Sequence, residues 1–575
     1  MTLIDTPRAG AQAGKGAGPE ADPGATVSGN DLVGRTLARL GVEQAFFLMG
    51  GPMLEAENAC VHAGIRMIDV RHEQAAAMMA HAYARLLARP GVCLAASGPG
   101  AINFTTGLAN ALVDCAPVVA LGGASPLAQT GRGAFQEIDQ VAIMRPVTKW
   151  AERVLDTRRI PEFVTMAYRA AMAGKPGPVY LDLPGDVLYR RVPADEVRWP
   201  PEALSPPPRP AASPEEIERV RALLVGAERP VILSGSGIFW SGAAGVLEAL
   251  VGALGVPLYT TPQGRGAVPE DHPCCMPHAR SRALKEADLV LVVGTRLNFM
   301  VDYGQAPRFH PEATFVHVDI DPAELARFRH RGVPVLADAS TFLAQLLAAV
   351  EGLGGAGPIA ARLAPWRERL CAMQREREAA QAESLASDAH PIHPLRLCGE
   401  VAAFMDRDAI LVVDGQEILN YGRQSIRTFA PAHRLNSGPF GTMGVGLPFG
   451  LGAKAAKPDA QVIVLHGDGA FGLNAMELDT AVRHNLPVLI VVSLNGGWTA
   501  DPDRTKPGRD LGYTRFDRMA ETLGCHGEFV ERAADIRPAL ERARAAVARG
   551  QTALVNVVTD WRARAATANF TNYTT

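Results

Sequence analysis

The chain has 575 residues, enough for about three or four domains that each bury a core of their own. Its 47% hydrophobic and 20% charged content exclude a disordered chain, and its densest apolar stretch, residues 486–494, is too short to span a bilayer. Lys and Arg number 57 against 60 Asp and Glu, and this net charge of −3 argues against nucleic-acid or membrane binding. An anionic partner must therefore be held by local groups.

The N-terminal residues and the cysteines indicate where the chain resides. Residues 1–27 are rich in Ala, Gly and Pro, lack an apolar core and carry acidic side chains. This composition argues against a secretory signal or transit peptide and predicts a disordered tail. The eight cysteines form no C-x-x-C pair and lie mostly in apolar segments, as small core residues do. We therefore predict a reduced, cytoplasmic protein.

Proline clusters divide the chain into blocks. Residues 199–213 are too rich in proline for a helix or central strand and predict a linker. The expected domains are residues 28–198, 213–350 and 390–560, followed by a C-terminal tail or lid, residues 561–575. In each block, short Val, Ile and Leu runs alternate with Ala-rich helical segments. This alternation predicts three doubly wound α/β domains with parallel sheets.

Two polar side chains of the first block are candidates for a site. Glu73 ends the predicted strand 67–73 and precedes a predicted Ala-rich helix. By itself it could be an ordinary carboxylate at a helix N-terminus. Gln136 lies in a glycine-containing segment, and residues 97–101 form a glycine-rich turn after another predicted strand. Ligands of such sheets bind where strands end and glycines turn.

The middle block contains one candidate, at the end of the predicted strand 314–319. This residue is Asp319, and a carboxylate at such a position can bind a ribose hydroxyl. Coenzyme A and flavin dinucleotides both carry a ribose. The sequence therefore predicts, without choosing between them, a nucleotide-bearing ligand for this domain.

The most informative segment lies in the last block. Strand 462–466 leads into Gly467, Asp468, Gly469 and Ala470, and a helix and a second strand follow before Asn495. Because the two strand ends are expected to be neighbours in a parallel sheet, Asp468 and Asn495 should converge although 26 residues separate them. The alternative is a simple strand-helix-strand turn in which Asp468 caps the helix.

The oxygen atoms at this place suit a divalent cation. The Asp468 carboxylate, the Asn495 amide oxygen and a backbone carbonyl near Gly497 are ligands of the type that Mg²⁺ prefers, with phosphate oxygens completing the octahedron. Gly469 and the following helix N-terminus offer amide protons to the same phosphates. A metal-diphosphate site is therefore predicted here.

These residues resemble the signature of thiamine-diphosphate-dependent enzymes, which is Gly-Asp-Gly, a spacer of about this length and an asparagine. The family usually has two consecutive asparagines, whereas this chain has Leu494 and Asn495. The resemblance extends from about Gly29 to Val558 and implies pyrimidine-binding, central and diphosphate-binding domains in that order. It also implies thiamine diphosphate and Mg²⁺ as cofactors, with Asp468, Asn495 and Gly497 as metal ligands.

The resemblance implies roles for further residues. A glutamate of the family, matched here by Glu73, binds the pyrimidine nitrogen N1′ and promotes removal of the C2 proton. A bulky residue, matched by Met443, holds the cofactor bent, although Met443 could also be a core methionine in a tight turn. The expected cofactor-binding residues are Glu73, Gln416, Glu417, Gly441, Met443, Gly467, Asp468, Gly469, Ala470, Asn495 and Gly497.

Residues 138–151 look like the acyloin-cleaving and condensing branch, most like 2-hydroxyacyl-CoA lyases and oxalyl-CoA decarboxylases. The implied reaction cleaves a short-chain 2-hydroxyacyl-CoA to formyl-CoA and an aldehyde or ketone, and it is reversible as an acyloin condensation. The alternatives are an acetolactate-synthase-like carboligase with a flavin and an oxalyl-CoA decarboxylase-like enzyme. A non-catalytic homologue would be expected to lack Glu73 or Asp468, and both are present.

Five residues are expected near the substrate. Gln136 resembles a substrate-facing glutamine, although it could be a turn residue, and Asp501 is the candidate for proton transfer, although it could be a helix cap. Arg153 resembles a basic residue that contacts nucleotide phosphates, or is a surface arginine. Asp319 would bind the ribose and Leu127 would line the acyl pocket.

The resemblance also predicts the assembly. In the family, the residues matched here by Glu73 and Asp468 meet across a subunit interface. We therefore expect a homodimer at minimum and a homotetramer as the assembled form, which binds an acyl-CoA.

Overall fold

The structure is a computed structural model that describes residues 25–201, 206–327, 332–352, 355–498, 505 and 507–565. Three sheets, in which every pair of neighbouring strands is parallel, form its framework. This arrangement confirms the predicted α/β class with three doubly wound domains.

The first domain has a six-stranded sheet and an additional antiparallel pair. Its strands are β1 (Thr26–Ser28), β2 (Gln44–Leu48), β3 (Arg66–Asp69), β4 (Gly91–Ala95), β5 (Val118–Ala124), β6 (Trp150–Arg153), β7 (Val179–Pro184) and β8 (Arg191–Pro193). The sheet order is β3-β2-β4-β5-β7-β6, and β1 pairs with β8. Thr26 and Val27, which were expected in the tail, thus lie in a strand.

Helices cover both faces of this sheet. They are α1 (Gly29–Arg39), α2 (Leu54–His62), α3 (Glu73–Leu87), α4 (Pro99–Asn103), α5 (Thr105–Val113), α6 (Gln140–Met144), α7 (Ile160–Met172) and α8 (Gly185–Tyr189). Strands β4 and β5 are buried along their whole length. Such strands, with helices on both faces, are typical of parallel sheets.

The central domain has the strand order β10-β9-β11-β12-β13. Its strands are β9 (Pro230–Ser234), β10 (Leu258–Thr260), β11 (Leu289–Val293), β12 (Thr314–Asp319) and β13 (Gly332–Leu336). Its helices are α9 (Pro214–Gly226), α10 (Ser236–Trp240), α11 (Ala244–Leu254), α12 (Arg280–Glu286), α13 (Pro322–Ala326) and α14 (Ala339–Glu351). Helix α9 begins directly after the proline-rich linker because the Ser213 hydroxyl accepts the Glu216 amide proton at 3.2 Å.

A long helix, α15 (Gly357–Leu385), leads to the C-terminal domain, whose strand order is β15-β14-β16-β17-β19-β18. The strands are β14 (Ile410–Asp414), β15 (Arg434–Leu435), β16 (Val462–Gly467), β17 (Leu489–Leu494), β18 (His526–Val530) and β19 (Ala553–Val558). The helices are α16 (Pro394–Phe404), α17 (Glu417–Ser425), α18 (Gly446–Ala456), α19 (Asp468–Leu473), α20 (Glu477–Arg483), α21 (Phe516–Thr522) and α22 (Ile536–Ala548).

The first and last domains share one hydrophobic core. Helices α3 and α18 lie at its centre, with Ala76, Met79 and Phe449 fully buried. The two helices come close because Gly452 has no side chain: a Cβ there would lie 2.4 Å from the carbonyl oxygen of Met79. The shared core therefore holds the helix that begins at Glu73 against the C-terminal domain.

Strand β3 ends earlier than the sequence predicted. It stops at Asp69 rather than Glu73, and Glu73 is instead the first residue of α3. The cause is that the amides of Arg71 and His72 donate to the Glu477 side chain and do not continue the sheet. His72 then caps α3, since its Nδ1 accepts the Gln74 amide proton at 3.2 Å.

All eight cysteines are free thiols, and six of them are buried. Within the described residues, no helix is both long and apolar enough to cross a membrane.

Candidate active site

The C-terminal domain encloses a cavity of about 280 Å³ at the carboxyl ends of β14, β16 and β17. We call it the C-terminal cavity. Nine of the residues predicted to bind the cofactor line it: Gln416, Glu417, Met443, Gly467, Asp468, Gly469, Ala470, Asn495 and Gly497. Gly441 and Glu73 are not part of its lining. The described residues that line this cavity all come from the C-terminal domain.

Asp468 joins the two strand ends that the sequence predicted to be neighbours. Strands β16 and β17 pair in parallel, and α19 begins at Asp468. One carboxylate oxygen of Asp468 accepts the Gly469 amide proton at 2.8 Å, and the other accepts that of Gly496 at 2.7 Å. Burial raises the pKa of Asp468 to about 6, against the opposing effect of these amide hydrogen bonds. A cation at the cavity would favour its ionised form.

Asn495 and Gly497 follow β17 on the same side of the cavity. The side-chain oxygen of Asn495 accepts the Gly497 amide proton at 3.2 Å. Gly497 must be glycine, because a Cβ would lie 2.1 Å from the carbonyl oxygen of Arg509. At Gly469, a Cβ would lie 2.8 Å from the Trp498 ring. The two glycines therefore keep backbone close to the cavity, as a phosphate-binding turn requires.

This donor set fits a hard cation. The described residues contain no cluster of three or more His, Cys, Asp or Glu side chains that could hold a metal. A metal here would thus have one buried carboxylate, one amide oxygen and a backbone carbonyl, with further oxygens from a ligand. Mg²⁺ commonly takes one or two carboxylates and completes its shell with substrate phosphates.

Asp414 ends β14 and directly precedes Gly415, which lines the cavity. It accepts the amide protons of Gly415 at 2.7 Å and Gly446 at 2.8 Å, which ties β14 to the start of α18. Burial raises its pKa to about 6. His466 lies 3.7 Å away, and burial lowers its pKa to about 3, so its ring is neutral. Neither Asp414 nor His466 was predicted as a site residue, because their pairing joins separate strands.

Glu73 lies in a second polar group, which belongs to the N-terminal domain. It is largely buried, and one of its oxygens accepts the Asn103 side-chain amide at 2.9 Å. A Cβ at Gly100 would lie 3.4 Å from the other oxygen. Asn103 was missed by sequence reasoning, since 29 residues separate it from Glu73 and no motif contains it.

Gln136 lies beside the same glycine-rich turn. Its side-chain oxygen accepts the Ser97 hydroxyl at 2.6 Å. Its backbone has φ = +58°, a left-handed conformation that is uncommon for residues other than glycine and is often found at functional sites. A Cβ at Gly98 would lie 2.7 Å from the Gln136 side chain. The structure thus brings Gln136 to the turn that contacts Glu73.

Two other predicted residues lie elsewhere, and a third is outside the part of the chain that the structure describes. The Arg153 guanidinium donates to the fully buried Asp182 carboxylate at 2.6 Å, and the Leu127 amide donates to Asp186 at 2.9 Å. Neither Arg153 nor Leu127 lines the C-terminal cavity or a second cavity at the junction of the three domains. Asp501 lies outside the described residues.

A second cavity, of about 330 Å³, lies where the three domains meet, and we call it the central cavity. The predicted Asp319 lines it at the end of β12, and burial raises the pKa of this carboxyl to about 6. Its other polar and aromatic lining residues include Asp114, Lys175, Arg209, Trp240, Gln263, Arg296 and Asp338. The cavity therefore offers carboxylates, cations and aromatic surface together.

Comparison with protein families decides the identity of this arrangement. Residues 27–143 match the N-terminal TPP binding domain of thiamine pyrophosphate enzymes, residues 217–346 their central domain, and residues 419–557 their C-terminal TPP binding domain. The chain belongs to the thiamine diphosphate enzymes. The three matches follow the same order as the three sheets, and the C-terminal match contains the Gly-Asp-Gly turn.

Relatives of the enzyme have two kinds of name. This chain is 35% identical to a probable acetolactate synthase of Mycobacterium bovis, over 94% of its own length and 97% of the relative. It is 34% identical to human 2-hydroxyacyl-CoA lyase 1 over 82% of each chain, and 33% identical to a 2-hydroxyacyl-CoA lyase of Arabidopsis thaliana over 93% and 96%. The enzyme is thus related to both lyases and carboligases.

Proposed function

We propose that the enzyme is a carbon-carbon lyase that cleaves a short-chain 2-hydroxyacyl-CoA to formyl-CoA and an aldehyde or ketone, and that also runs the reverse acyloin condensation. The observation that carries the proposal is the central cavity, whose charged and aromatic lining suits the nucleotide of coenzyme A. The human and Arabidopsis relatives named 2-hydroxyacyl-CoA lyase support the same choice.

The C-terminal cavity would hold the diphosphate end of the cofactor. Asp468, Asn495 and the Gly497 carbonyl would bind Mg²⁺, and amides at the start of α19 would donate to the phosphates. Gln416 and Glu417, which follow β14, would contact the diphosphate from the side of β16 that is opposite to β17. Thiamine diphosphate, when bound, supplies a carbon nucleophile and accepts the electron pair of the broken bond.

The N-terminal domain would bind the pyrimidine. Glu73 would hold a proton at ring nitrogen N1′, and the hydrogen bond from Asn103 would keep the carboxylate oriented. Gly441 would accept a hydrogen bond from the aminopyrimidine, and Met443 would support the bent cofactor. Because Glu73 does not line the C-terminal cavity of its own chain, we propose that it acts on the cofactor of a second subunit. This requires at least a homodimer, which sedimentation of the active enzyme tests, and we propose a homotetramer.

The substrate would extend from the central cavity. Asp319 would accept a ribose hydroxyl, and Arg296 would supply positive charge for the phosphates, whereas Lys175 already pairs with the Asp321 and Glu324 carboxylates. Gln136 would face the reacting carbon. Arg153 would contact a phosphate while its guanidinium also donates a hydrogen bond to Asp182. Leu127 remains the proposed contact for the acyl group.

Asp501 is the proposed proton-transfer residue. Its carboxylate would take the proton of the substrate hydroxyl as the carbon-carbon bond breaks and return it to the carbon that becomes the formyl group. We expect Asp501→Ala to slow single-turnover cleavage of a 2-hydroxyacyl-CoA while thiamine diphosphate still binds. Cleavage at the wild-type rate would refute this role.

The second candidate is an acetolactate-synthase-like carboligase that acts on free 2-keto acids, and the long match to the Mycobacterium bovis relative favours it. An oxalyl-CoA decarboxylase-like reaction would use the same nucleotide cavity. The deciding experiment incubates the holoenzyme separately with a 2-hydroxyacyl-CoA, oxalyl-CoA and pyruvate, and measures products by mass spectrometry. Formyl-CoA with an aldehyde or ketone supports the lyase, whereas acetolactate from a yellow, flavin-containing protein supports the carboligase.

A further inference from the structure

The Glu477 carboxylate lies against the chain immediately before Glu73. Glu477 is the first residue of α20 in the C-terminal domain, and only 1% of it is exposed. One of its oxygens accepts the amide protons of Arg71 at 3.1 Å and His72 at 3.2 Å. A carboxylate of one domain thus binds two successive backbone amides of another.

These two amides lie beyond the end of β3. The amide of Val70 still donates to the Phe47 carbonyl at 2.9 Å, as the sheet requires, but β3 has ended at Asp69. The side chains of Arg71 and His72 are exposed, but their amides point to the buried Glu477 carboxylate, and hydrogen bonds to a charged acceptor are stronger than neutral ones. Glu477 therefore determines the course of the backbone between β3 and α3.

The carboxylate is itself oriented. Its second oxygen accepts the Thr480 hydroxyl at 2.6 Å, and Thr480 is fully buried in the same helix. Burial raises the pKa of Glu477, whereas the Thr480 hydroxyl and the two amides favour its ionised form.

The residue three positions earlier makes a parallel connection. The side-chain oxygen of Asn474 accepts the Gln74 side-chain amide at 2.9 Å, and its nitrogen donates to the Gly444 carbonyl at 2.7 Å. Gln74 directly follows Glu73, and Gly444 directly follows Met443. The segment after the Gly-Asp-Gly turn thus contacts both sides of Glu73 and the turn that carries Met443.

We propose that Glu477 is a positioning residue, which fixes Glu73 at the start of α3 in the place from which it reaches the pyrimidine. The proposal rests on the role proposed for Glu73 and is independent of which carbon-carbon bond is broken. Glu477 acts through the backbone of Arg71 and His72 and does not contact the cofactor itself.

The first experiment measures the protection of the two backbone amides directly. Amide hydrogen exchange is measured on the full-length protein without cofactor, for Glu477→Ala and the wild type. We expect the amides of Arg71 and His72 to exchange about tenfold faster or more in the variant, because each loses a hydrogen bond to a charged acceptor. The matched control is Glu541→Gln, which alters an exposed carboxylate on α22 of the same domain and should leave these amides unchanged. Equal exchange in Glu477→Ala and the wild type overturns the proposal.

The second experiment measures proton exchange at C2 of bound thiamine diphosphate, without substrate. We expect Glu477→Ala to slow it about 10–100-fold, since small misplacements of a catalytic group have effects of this size. Glu477→Gln keeps one oxygen for the two amides and should recover most of the rate. Unchanged exchange in both variants, beside slow exchange in Glu73→Gln, contradicts the positioning role. Unchanged exchange in Glu73→Gln instead refutes the role of Glu73.

A milder variant covers the case in which Glu477→Ala does not fold. Thr480→Val removes only the hydroxyl that orients the carboxylate, and we expect a smaller increase in exchange at Arg71 and His72 and a slowing of C2 exchange by a few fold, about 1 kcal/mol. In that case, wild-type values for Thr480→Val in both measurements would overturn the proposal. Normal C2 exchange with no cleavage of any acyl-CoA by the wild type would instead refute the proposed lyase.

Discussion

The C-terminal and central cavities differ in how they are built. The C-terminal cavity is lined by strand ends and helix starts of one domain, and its glycines, among them Gly467, Gly469 and Gly497, bring backbone to it beside side chains such as Asp468 and Asn495. The central cavity takes its lining from all three domains and the linker, and its polar groups are mostly side chains such as Lys175, Arg296 and Asp319.

This difference predicts how strongly substitutions change the shape of each cavity. A cavity made from the backbone of one sheet keeps its shape through changes of the surrounding side chains, which suits a group that every member of the family binds. A cavity made of side chains at a domain junction changes with each substitution. The relatives named lyases and those named acetolactate synthases are therefore expected to differ mainly around the central cavity.

The largest effect is expected at Glu73, the proposed pyrimidine-binding residue of the N-terminal domain. Glu73→Gln keeps the size of the side chain but cannot exchange a proton with the pyrimidine, so we expect turnover to fall by about 10²–10⁴-fold. Binding of thiamine diphosphate, measured by calorimetry, should change much less. Glu55→Gln, an exposed change in α2 of the same domain, serves as the control. Turnover within a few fold of the wild type would exclude Glu73 as the proton-holding group.

The next effect tests the backbone-built cavity. Asp468→Asn removes the charge that would hold Mg²⁺, and we expect thiamine diphosphate to bind at least about 10–100-fold more weakly. Quenching of the fluorescence of Trp498, which lines the cavity, provides the titration. Asp459→Asn, on the exposed turn before β16, should bind like the wild type. If Asp468→Asn bound the cofactor normally, the C-terminal cavity would not be its diphosphate site.

A smaller effect is expected in the central cavity, without loss of the cofactor. Asp319→Asn should weaken binding of a coenzyme A substrate by about tenfold at pH 8, because an ionised acceptor is replaced by a neutral one. Since the pKa of Asp319 is raised to about 6, the wild-type carboxylate is protonated below that pH, and the difference between the two proteins should shrink there. KM measured from pH 5 to 8 tests this, with Glu312→Gln, before the same strand, as the control.

Equal KM values for Asp319→Asn and the wild type at pH 8 would show that the nucleotide does not contact this carboxylate. A flavin retained by the purified protein would assign the central cavity to a different ligand. Either result would show that the ligand of the central cavity differs from the proposed one, while the C-terminal cavity still binds the cofactor.

The smallest effect concerns the turn beside Glu73. Ser97→Ala removes the hydrogen bond to Gln136, and we expect kcat/KM to fall by a few fold, about 1 kcal/mol. Retained thiamine diphosphate affinity would separate this effect from that of Asp468→Asn. An unchanged kcat/KM would indicate that Gln136 keeps its left-handed backbone without Ser97.

Residues close in sequence were the most predictable part of the site. The turn from Gly467 to Ala470 and Asn495 lie at the ends of neighbouring strands connected by two short helices, and their meeting follows from the rules of parallel sheets. The start of α3 was predicted one residue late and the end of β3 four residues late. The reason is that Glu477, from another domain, accepts hydrogen bonds from the amides of Arg71 and His72. No local pattern contains that contact.

The sequence by itself determined the alternation of strands and helices, the order of three domains and the carboxylate and amide at the ends of β16 and β17. These features depend on hydrophobic periodicity and on connections between neighbouring elements. Only the tertiary structure decided that Asn103 orients Glu73, that Glu477 holds the chain before it and that three domains enclose a cavity beside Asp319. The physical reason is that these contacts join residues from different elements, and several join different domains, so they form only when the shared core between α3 and α18 and the domain junctions have packed.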